Sequence, residues 1–136
     1  MITISEKSRA AVRALTELAG RGETAPVPIL EIAERRGVPL HLLEQLFAGL
    51  RRAGVLQSQR GVKGGYSFRR PPAEVSLLEV VETVDGRLSG ADDPASGCDQ
   101  VWDETRSCVA GLLGELTIAD MVEREERLTQ APMFHI

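Results

Sequence analysis

The feature that most constrains the fold is a three-residue break, Gly37-Val38-Pro39, between two short amphipathic segments. Residues 29–36 and residues 40–53, on either side of this break, space their apolar side chains three and four positions apart, as amphipathic helices do. Gly37 suits the left-handed conformation that ends many helices, and Pro39 suits a first helical turn, where its missing N–H removes no hydrogen bond. Two helices joined by so short a turn have the helix-turn-helix layout.

A two-stranded hairpin is predicted directly after the second of these helices. Residues 55–60 alternate apolar and polar side chains, residues 61–65 include three glycines, and residues 66–68 return as a second strand. An amphipathic helix from Ser5 to Gly20 precedes the helix-turn-helix pair. The sequence therefore predicts a mainly α fold with a small two-stranded β wing, a winged helix-turn-helix.

The remainder of the chain is predicted to be helical around a long loop. Pro71-Pro72 closes the hairpin unit and is the expected boundary. Residues 76–79 and residues 117–120 each have the form of a capping box, which predicts a short fourth helix and a short last helix. Residues 86–97 are rich in Gly, Ser, Asp and Pro and are expected to form a loop.

Between this loop and the last helix, residues 99–116 predict a long helix with one apolar stripe. The chain offers no partner helix long enough to cover that stripe. Its members are Val101, Trp102, Thr105, Val109, Leu112, Leu113 and Leu116.

Charge divides near the same boundary. The whole chain has a formal net charge of -4, which by itself argues against a nucleic-acid partner. Residues 1–75, however, contain 12 Lys or Arg against 7 Asp or Glu, whereas residues 76–136 contain 4 against 13. We therefore predict two units, residues 1–72 and residues 73–136, of which only the first is expected to bind an anionic partner such as nucleic acid.

No segment approaches the roughly 20 apolar residues of a membrane span, and residues 1–7 lack the layout of a signal peptide. A cytoplasmic protein with no membrane partner is expected. Its two cysteines, Cys98 and Cys108, are expected to be thiols because the cytosol keeps disulfides rare. A metal site or a thiol switch is the chemical hypothesis for this pair, and a buried small hydrophobe is the plain alternative for Cys108.

Enzyme signatures are not found in the sequence. It has no HExxH zinc motif, no GxSxG nucleophile motif and no dinucleotide-binding glycine fingerprint. No enzyme activity, no catalytic residue and no metal ligand is therefore predicted.

The helix over residues 40–53 carries the strongest functional signal. His41, Gln45 and Arg52 fall on the face opposite its apolar side chains, and Glu44 flanks that face. A Gln can pair with adenine, an Arg with guanine or phosphate, and a Glu with cytosine, so this face has the chemistry to read a major groove. A merely solvated helix face is the alternative.

The hairpin adds a second, independent signal. Arg60 and Lys63 flank a turn in which Gly61, Gly64 and Gly65 allow the backbone to approach a phosphate closely. Such a turn can also insert a cation into a minor groove. A structural hairpin with incidental charges is the alternative.

Several segments together resemble the Rrf2 family of winged helix-turn-helix transcription regulators. The resemblance is carried by Ser5-Glu6-Lys7-Ser8-Arg9, Leu43-Glu44-Gln45-Leu46, Leu50 to Leu56, Arg60 to Tyr66, Trp102, and Leu116 to Asp120. It implies a homodimer that represses transcription from a near-palindromic operator in double-stranded DNA. The helix over residues 40–53 would lie in the major groove, and the wing over residues 55–68 would point toward the minor groove.

The resemblance also implies roles for single residues. By position, His41, Glu44 and Gln45 match the base-reading part of the family's recognition helix, and Arg60 matches the arginine that its wing sends toward the minor groove. The full set of predicted DNA-binding residues is Lys7, Arg9, His41, Glu44, Gln45, Arg52, Arg60, Lys63, Gly64 and Gly65. The apolar stripe of the long helix becomes the dimerisation surface, formed by Trp102, Thr105, Val109, Leu112, Leu113 and Leu116.

The sensor is the part of the chain that departs most from the family. Members that bind an iron-sulfur cluster carry three closely spaced cysteines before the long helix, whereas this chain has Cys98 there and Cys108 ten residues later. No cofactor is therefore expected, and a cluster that takes ligands from elsewhere is the alternative. The ending Met133 to Ile136 resembles that of the cluster-free cysteine-metabolism repressors. This likeness implies control by a metabolic-enzyme partner, a small molecule or thiol oxidation, and leaves the three open.

Overall fold

The computed structural model describes residues 4–22, 25–88 and 97–130 of the chain. Its helices are α1 (Glu6–Gly20), α2 (Ile29–Arg36), α3 (Leu40–Arg52), α4 (Leu77–Asp85), α5 (Gly97–Glu115) and α6 (Ile118–Gln130). Its strands are β1 (Leu56–Gln59) and β2 (Gly65–Phe68), and a short 3-10 helix (Pro72–Glu74) precedes α4.

The helix-turn-helix pair forms from α2 and α3, as predicted. Gly37 ends α2 in the left-handed conformation, with φ of 65°, and Pro39 directly precedes α3. Upstream, α1 is capped by Ser5, whose hydroxyl accepts a hydrogen bond from the Ser8 N–H at 3.1 Å. Local sequence signals therefore determine where each of these helices begins or ends.

The hydrophobic core joins both halves of the chain. Leu15, Ile32 and Phe47 are fully buried members from the winged helix, and Val80 and Ile118 are fully buried members from the acidic half. The described parts of both halves therefore pack on one core. The predicted division into two units stays a prediction about charge and function.

The wing is an antiparallel hairpin in which Leu56 lies opposite Phe68. A further connection, not predicted from the sequence, links the wing to the segment before α2. The Val27 N–H donates to the Tyr66 carbonyl and the Tyr66 N–H donates to the Val27 carbonyl, both at 2.9 Å. This bridge anchors β2 of the wing to the segment before α2.

The start of α4 is bonded to the junction between α5 and α6. The Leu77 N–H donates to the Leu116 carbonyl at 2.8 Å, and the Ile118 N–H donates to the Val75 carbonyl at 2.9 Å. These bonds fix the C-terminal end of α5 against the core, so the direction of the long helix is set by the segment that follows the wing.

The two predicted capping boxes differ in outcome. Thr117 and Asp120 exchange both bonds, since each side chain accepts from the backbone N–H of the other at 3.1 Å and 2.9 Å. The Ser76 hydroxyl likewise accepts from the Glu79 N–H at 3.1 Å. The Glu79 carboxylate, however, pairs with the Arg70 guanidinium, so the reciprocal half of the predicted box was wrong. An ion pair to the end of the wing takes the place of that cap.

Three expectations about the acidic half need correction. Because α5 begins at Gly97, Cys98 lies in its first turn and not in a linker. Cys108 is exposed in the described chain and not buried, because it lies on the face of α5 opposite the buried Ala110. The last helix is 13 residues long and was expected to be short. The ending Met133 to Ile136, which carries part of the family resemblance, lies outside the described residues. Among the described helices, none has both the length and the apolar character needed to cross a membrane.

Candidate nucleic-acid interface

The two faces of α3 differ in burial as well as in chemistry. On one face of α3, the apolar side chains Leu43, Leu46, Phe47 and Leu50 are buried against the core. Its opposite face exposes the side chains predicted to contact bases or phosphates, His41, Glu44, Gln45 and Arg52. The predicted separation of the faces is therefore confirmed, and the exposed face carries donors and acceptors that match the edges of base pairs in a major groove.

The N-terminus of α3 is suited to an anion. Pro39 precedes the helix without a side-chain cap, and the first turn contains no acidic residue. The first N–H groups of a helix have no intrahelical acceptor, and the helix dipole adds partial positive charge at that end. The start of α3 therefore has the free N–H donors and the partial positive charge that favour an anion.

The wing turn is an exposed projection flanked by cations. Val62 is fully exposed at its tip, and Arg60 and Lys63 lie exposed on either side. Gly61 adopts a φ of 114°, and its carbonyl accepts a hydrogen bond from the Gly64 N–H at 3.0 Å. The turn therefore presents two cations on a short, hydrogen-bonded loop.

Gly64 and Gly65 have a packing role that the sequence did not reveal. A Cβ on Gly64 would lie under 3.0 Å from the backbone oxygen of Gln59, and a Cβ on Gly65 would lie under 3.0 Å from that of Val27. Both glycines are thus required for the hairpin to close and to dock on the segment before α2. Their predicted close approach to a phosphate stays a prediction.

The wing and α3 form one unit. The rings of Phe47 and Tyr66 meet edge to face, with their centroids 5.1 Å apart. On the outer side, the Arg51 guanidinium donates to the Ser58 hydroxyl at 3.2 Å. These contacts fix the wing relative to the exposed face of α3, so the two surfaces are presented together.

The cations of the chain fall into a paired and an unpaired set. Ion pairs with carboxylates engage Arg13, Arg21, Arg36 and Arg70. Within the described part of the chain, no carboxylate lies within 4.0 Å of the cationic groups of Arg9, Arg52, Arg60, Lys63 and Arg69. The uncompensated charges of α3 and the wing create a field that attracts a polyanion.

Arg36 joins three helices through its ion pairs. Its Nε donates to Glu17 on α1 at 2.9 Å, and its two terminal nitrogens donate to Glu125 on α6 at 2.9 Å and 2.7 Å. The Glu125 hydrogen bonds outweigh partial burial and raise the pKa of Arg36. The same bonds lower the pKa of Glu125. We call the ion pair between Arg36 and Glu125 the Arg36–Glu125 clamp. No local sequence pattern predicts it, because the two residues lie 89 positions apart.

Asp85, the last residue of α4, accepts three hydrogen bonds from the first turn of α1. The donors are the Ser5 N–H at 3.0 Å, the Ser5 hydroxyl at 2.5 Å and the Ser8 hydroxyl at 2.8 Å. Burial raises the pKa of Asp85, but these bonds and the charge of Lys7 together outweigh it and lower that pKa. The charge of Lys7, a predicted DNA-binding residue, therefore favours the ionised form of the Asp85 carboxylate.

The apolar stripe of α5 is only partly covered by its own chain. Leu113 and Leu116 pack against the core, which the sequence did not predict. Val109 is half-buried. Exposure is concentrated in the rest of the stripe, where Trp102 is 64% exposed and Leu112 is 60% exposed, together with Val101 and Thr105. The first half of α5 thus presents apolar side chains to solvent.

The two thiols do not fit a shared iron-sulfur cluster within one chain. Cys98 and Cys108 are both exposed on α5, ten residues apart, and this spacing separates them by roughly 15 Å along the helix axis. Cluster ligands must converge on one centre. In the parts of the chain that the structure describes, no three His, Cys, Asp or Glu side chains do so.

Residues 4–124 match the model of the Rrf2 family, which is described as an iron-dependent transcriptional regulator. The chain belongs to the Rrf2 family. Membership confirms the predicted transcriptional regulator class and the winged helix-turn-helix fold. The assignment of single side chains to bases and phosphates stays a prediction.

Named relatives of this Rrf2 chain include the HTH-type transcriptional regulator IscR of Klebsiella pneumoniae (strain 342). The two are 32% identical over 134 residues, which cover 92% of this chain and 82% of the relative. Among solved structures, T. potens IscR has a TM-score of 0.82 at 32% identity, over 96% of this chain and 93% of that one. CymR, the global cysteine regulator of B. subtilis, has a TM-score of 0.81 at 28% identity, over 91% of this chain and 98% of that one.

Proposed function

We propose that this Rrf2 protein is a homodimeric, sequence-specific repressor. In each protomer α3 enters the major groove, and the wing over residues 55–68 reaches toward the adjacent minor groove. A twofold dimer then reads a near-palindromic operator, because two identical units face two half-sites. The observation that carries the proposal is that the exposed polar face of α3 and the unpaired cations of the wing belong to one unit.

The side chains of this unit divide between two tasks. On α3, Gln45 and Glu44 contact base edges, since amide and carboxylate groups distinguish bases by hydrogen bonding. Arg52 and Lys63 neutralise phosphates, which orients the protein without reading sequence. Arg60 enters the minor groove beside the wing tip.

Dimerisation is supported by the exposed apolar side chains of α5. Trp102 and Leu112 are large hydrophobic residues that a monomer would leave in water. Pairing of two α5 helices across a twofold axis removes them from solvent. It also holds two winged helices at a fixed separation, as a palindromic operator requires.

A salt titration of DNA binding tests the electrostatic part of the proposal. Affinity for a random-sequence duplex is measured by fluorescence anisotropy over a range of salt concentrations, for the unaltered protein and for Lys63→Ala. Loss of one phosphate contact reduces the slope of log affinity against log salt by about 0.9. Arg124→Ala is the matched control, because it removes an exposed cation of α6 and should leave the slope unchanged.

Two results would overturn the proposal. One is no binding to any duplex at low salt. The other is an equal change of slope in Lys63→Ala and Arg124→Ala, because the wing would then contribute nothing beyond net charge.

A further inference from the structure

A groove lies between the C-terminal half of α1, the end of α2 and α6. Its volume is about 330 Å³, at the lower end of the range in which proteins bind small molecules. Its charged lining consists of three arginines and three glutamates, which are Arg21, Arg35, Arg36, Glu17, Glu125 and Glu126. A simple anion would meet the glutamates, and a simple cation would meet the arginines. Because the charges of this α1–α2–α6 groove balance, the ligand that suits it is a small zwitterion.

Two of these charges remain available to a ligand. Glu17 accepts from Arg36 at 2.9 Å, and Glu125 is engaged in the Arg36–Glu125 clamp. Arg35, on α2, reaches Glu17 only at 4.0 Å, and its side chain is 74% exposed. In the parts of the chain that the structure describes, no cationic group lies within 4.0 Å of the Glu126 carboxylate on α6. One cation and one carboxylate on different walls of the groove are therefore weakly paired or unpaired.

Two hydroxyl groups in the lining act as acceptors. The Thr16 hydroxyl donates to the Val12 carbonyl at 2.7 Å, and the Thr129 hydroxyl donates to the Glu125 carbonyl at 2.9 Å. A hydroxyl has one hydrogen, so each of these oxygens can only accept a further hydrogen bond. An ammonium group has three donors and no acceptor. The two hydroxyl oxygens therefore suit an ammonium group.

We propose that the α1–α2–α6 groove binds a free α-amino acid, a small molecule that carries a carboxylate and an ammonium group on one carbon. The carboxylate pairs with the Arg35 guanidinium, whose planar array of N–H donors matches it. The ammonium group donates to the Glu126 carboxylate and to the oxygens of Thr16 and Thr129. Val122 provides an apolar part of the lining, which favours a short aliphatic side chain.

The position of the groove links this ligand to the helix-turn-helix pair. Arg35 and Arg36 are the last two residues of α2, directly before the turn that leads to α3. An amino acid that joins α2 to α6 adds a second connection beside the Arg36–Glu125 clamp. Ligand and DNA should then change each other's affinity by the same factor. This coupling rests on the proposed DNA-binding function, whereas binding of the amino acid does not.

An NMR titration of the full chain without DNA tests the site. Each of the common α-amino acids is added in turn at neutral pH, and the amide signals are followed. At least one amino acid should cause saturable shifts at the walls of the groove. For alanine, the probes that lack one charge are propionate and ethylamine, and the corresponding acid and amine are used for any other amino acid. Each probe should bind about 5-fold more weakly than the amino acid, because one ion pair is lost.

Two variants test the residues that hold the ligand. Arg35→Gln and Glu126→Gln alter exposed side chains, and each should weaken binding of the amino acid by about 5-fold. Arg124→Gln and Glu123→Gln are the matched controls, because both residues are exposed on α6 and lie outside the groove. The controls should leave the affinity unchanged. Circular dichroism verifies that all four variants are folded.

The outcomes separate the site from the proposed function. The site is overturned if no amino acid binds, if propionate binds as tightly as alanine, or if both groove variants bind with unaltered affinity. Fluorescence anisotropy with a duplex then measures DNA affinity with and without the amino acid. Binding of the amino acid that leaves DNA affinity unchanged overturns the coupling and leaves the site. A chain that binds the amino acid but no duplex overturns the proposed repressor and also leaves the site.

Discussion

Replacing Gly65 with alanine should detach the wing from the segment before α2. A Cβ at this position would lie under 3.0 Å from backbone atoms of Val27 and Pro28, which cannot rotate away as a side chain can. The backbone φ of Gly65 is 149°, in the region that favours glycine. The variant must therefore break the bridge between Val27 and Tyr66 or distort the hairpin.

The magnitude follows from two losses. The bridge consists of two hydrogen bonds of 2.9 Å, and a net contribution of about 0.5–1.5 kcal/mol each gives about 1–3 kcal/mol. Backbone strain at a residue with positive φ adds about 1–3 kcal/mol. Gly61→Ala is the control, because Gly61 also has positive φ but a Cβ there would meet nothing within 4 Å. Gly61→Ala should therefore lower the free energy of unfolding only by the backbone strain of a positive φ.

Urea unfolding followed by circular dichroism measures both variants. The free energy of unfolding should fall by about 2–6 kcal/mol for Gly65→Ala and by about 1–3 kcal/mol for Gly61→Ala. DNA affinity should fall further for Gly65→Ala, because the wing loses its fixed position beside α3. If Gly65→Ala is as stable as Gly61→Ala and binds DNA equally well, the steric argument and the role of the bridge are refuted.

Three further predictions concern the helices that support the interface. Pairing with Arg36 lowers the pKa of Glu125 in the folded protein. The ion pair therefore stabilises the fold above the ordinary carboxyl pKa, and this stabilisation is lost as pH falls through the pKa of Glu125 in the folded protein. A pH series of thermal melts should show that loss in the unaltered protein and less of it in Glu125→Gln. Phe47→Ala should lower the free energy of unfolding by about 3–5 kcal/mol in urea, and a loss below about 1 kcal/mol would contradict full burial of the ring. Thr117→Ala should lower the free energy of unfolding by about 1 kcal/mol, because it removes a helix cap. Thr129→Ala removes a hydroxyl that bonds only within α6 and should lower the free energy of unfolding by less. Equal losses in urea unfolding would contradict a capping role for Thr117.

Elements with local signals were predicted from the sequence. Gly37 and Pro39 delimit the turn of the helix-turn-helix pair, and Thr117 with Asp120 marks the start of α6. The two faces of α3 followed from angular spacing alone, because Leu43, for example, must point to the side opposite His41. Local backbone chemistry and periodicity were sufficient in these cases.

Features that depend on distant partners were not predicted. The Arg36–Glu125 clamp joins residues 89 positions apart, and the Val27–Tyr66 bridge joins a loop to a strand. The tight packing that requires glycine at position 65 is visible only once that bridge exists. Periodicity has no information on such pairings, since they arise from how the elements pack and not from their own sequence.

Selection of bound sequences from a random duplex library tests the central claim most directly, that the exposed face of α3 reads DNA sequence. The account predicts that the unaltered protein enriches a near-palindromic site with two half-sites. Gln45→Ala should relax the preference at one position in each half-site, equivalent to a loss of about 1–3 kcal/mol of discrimination there. No enriched sequence, or an enriched site that Gln45→Ala leaves unchanged at every position, would contradict the assignment of α3 as the recognition helix.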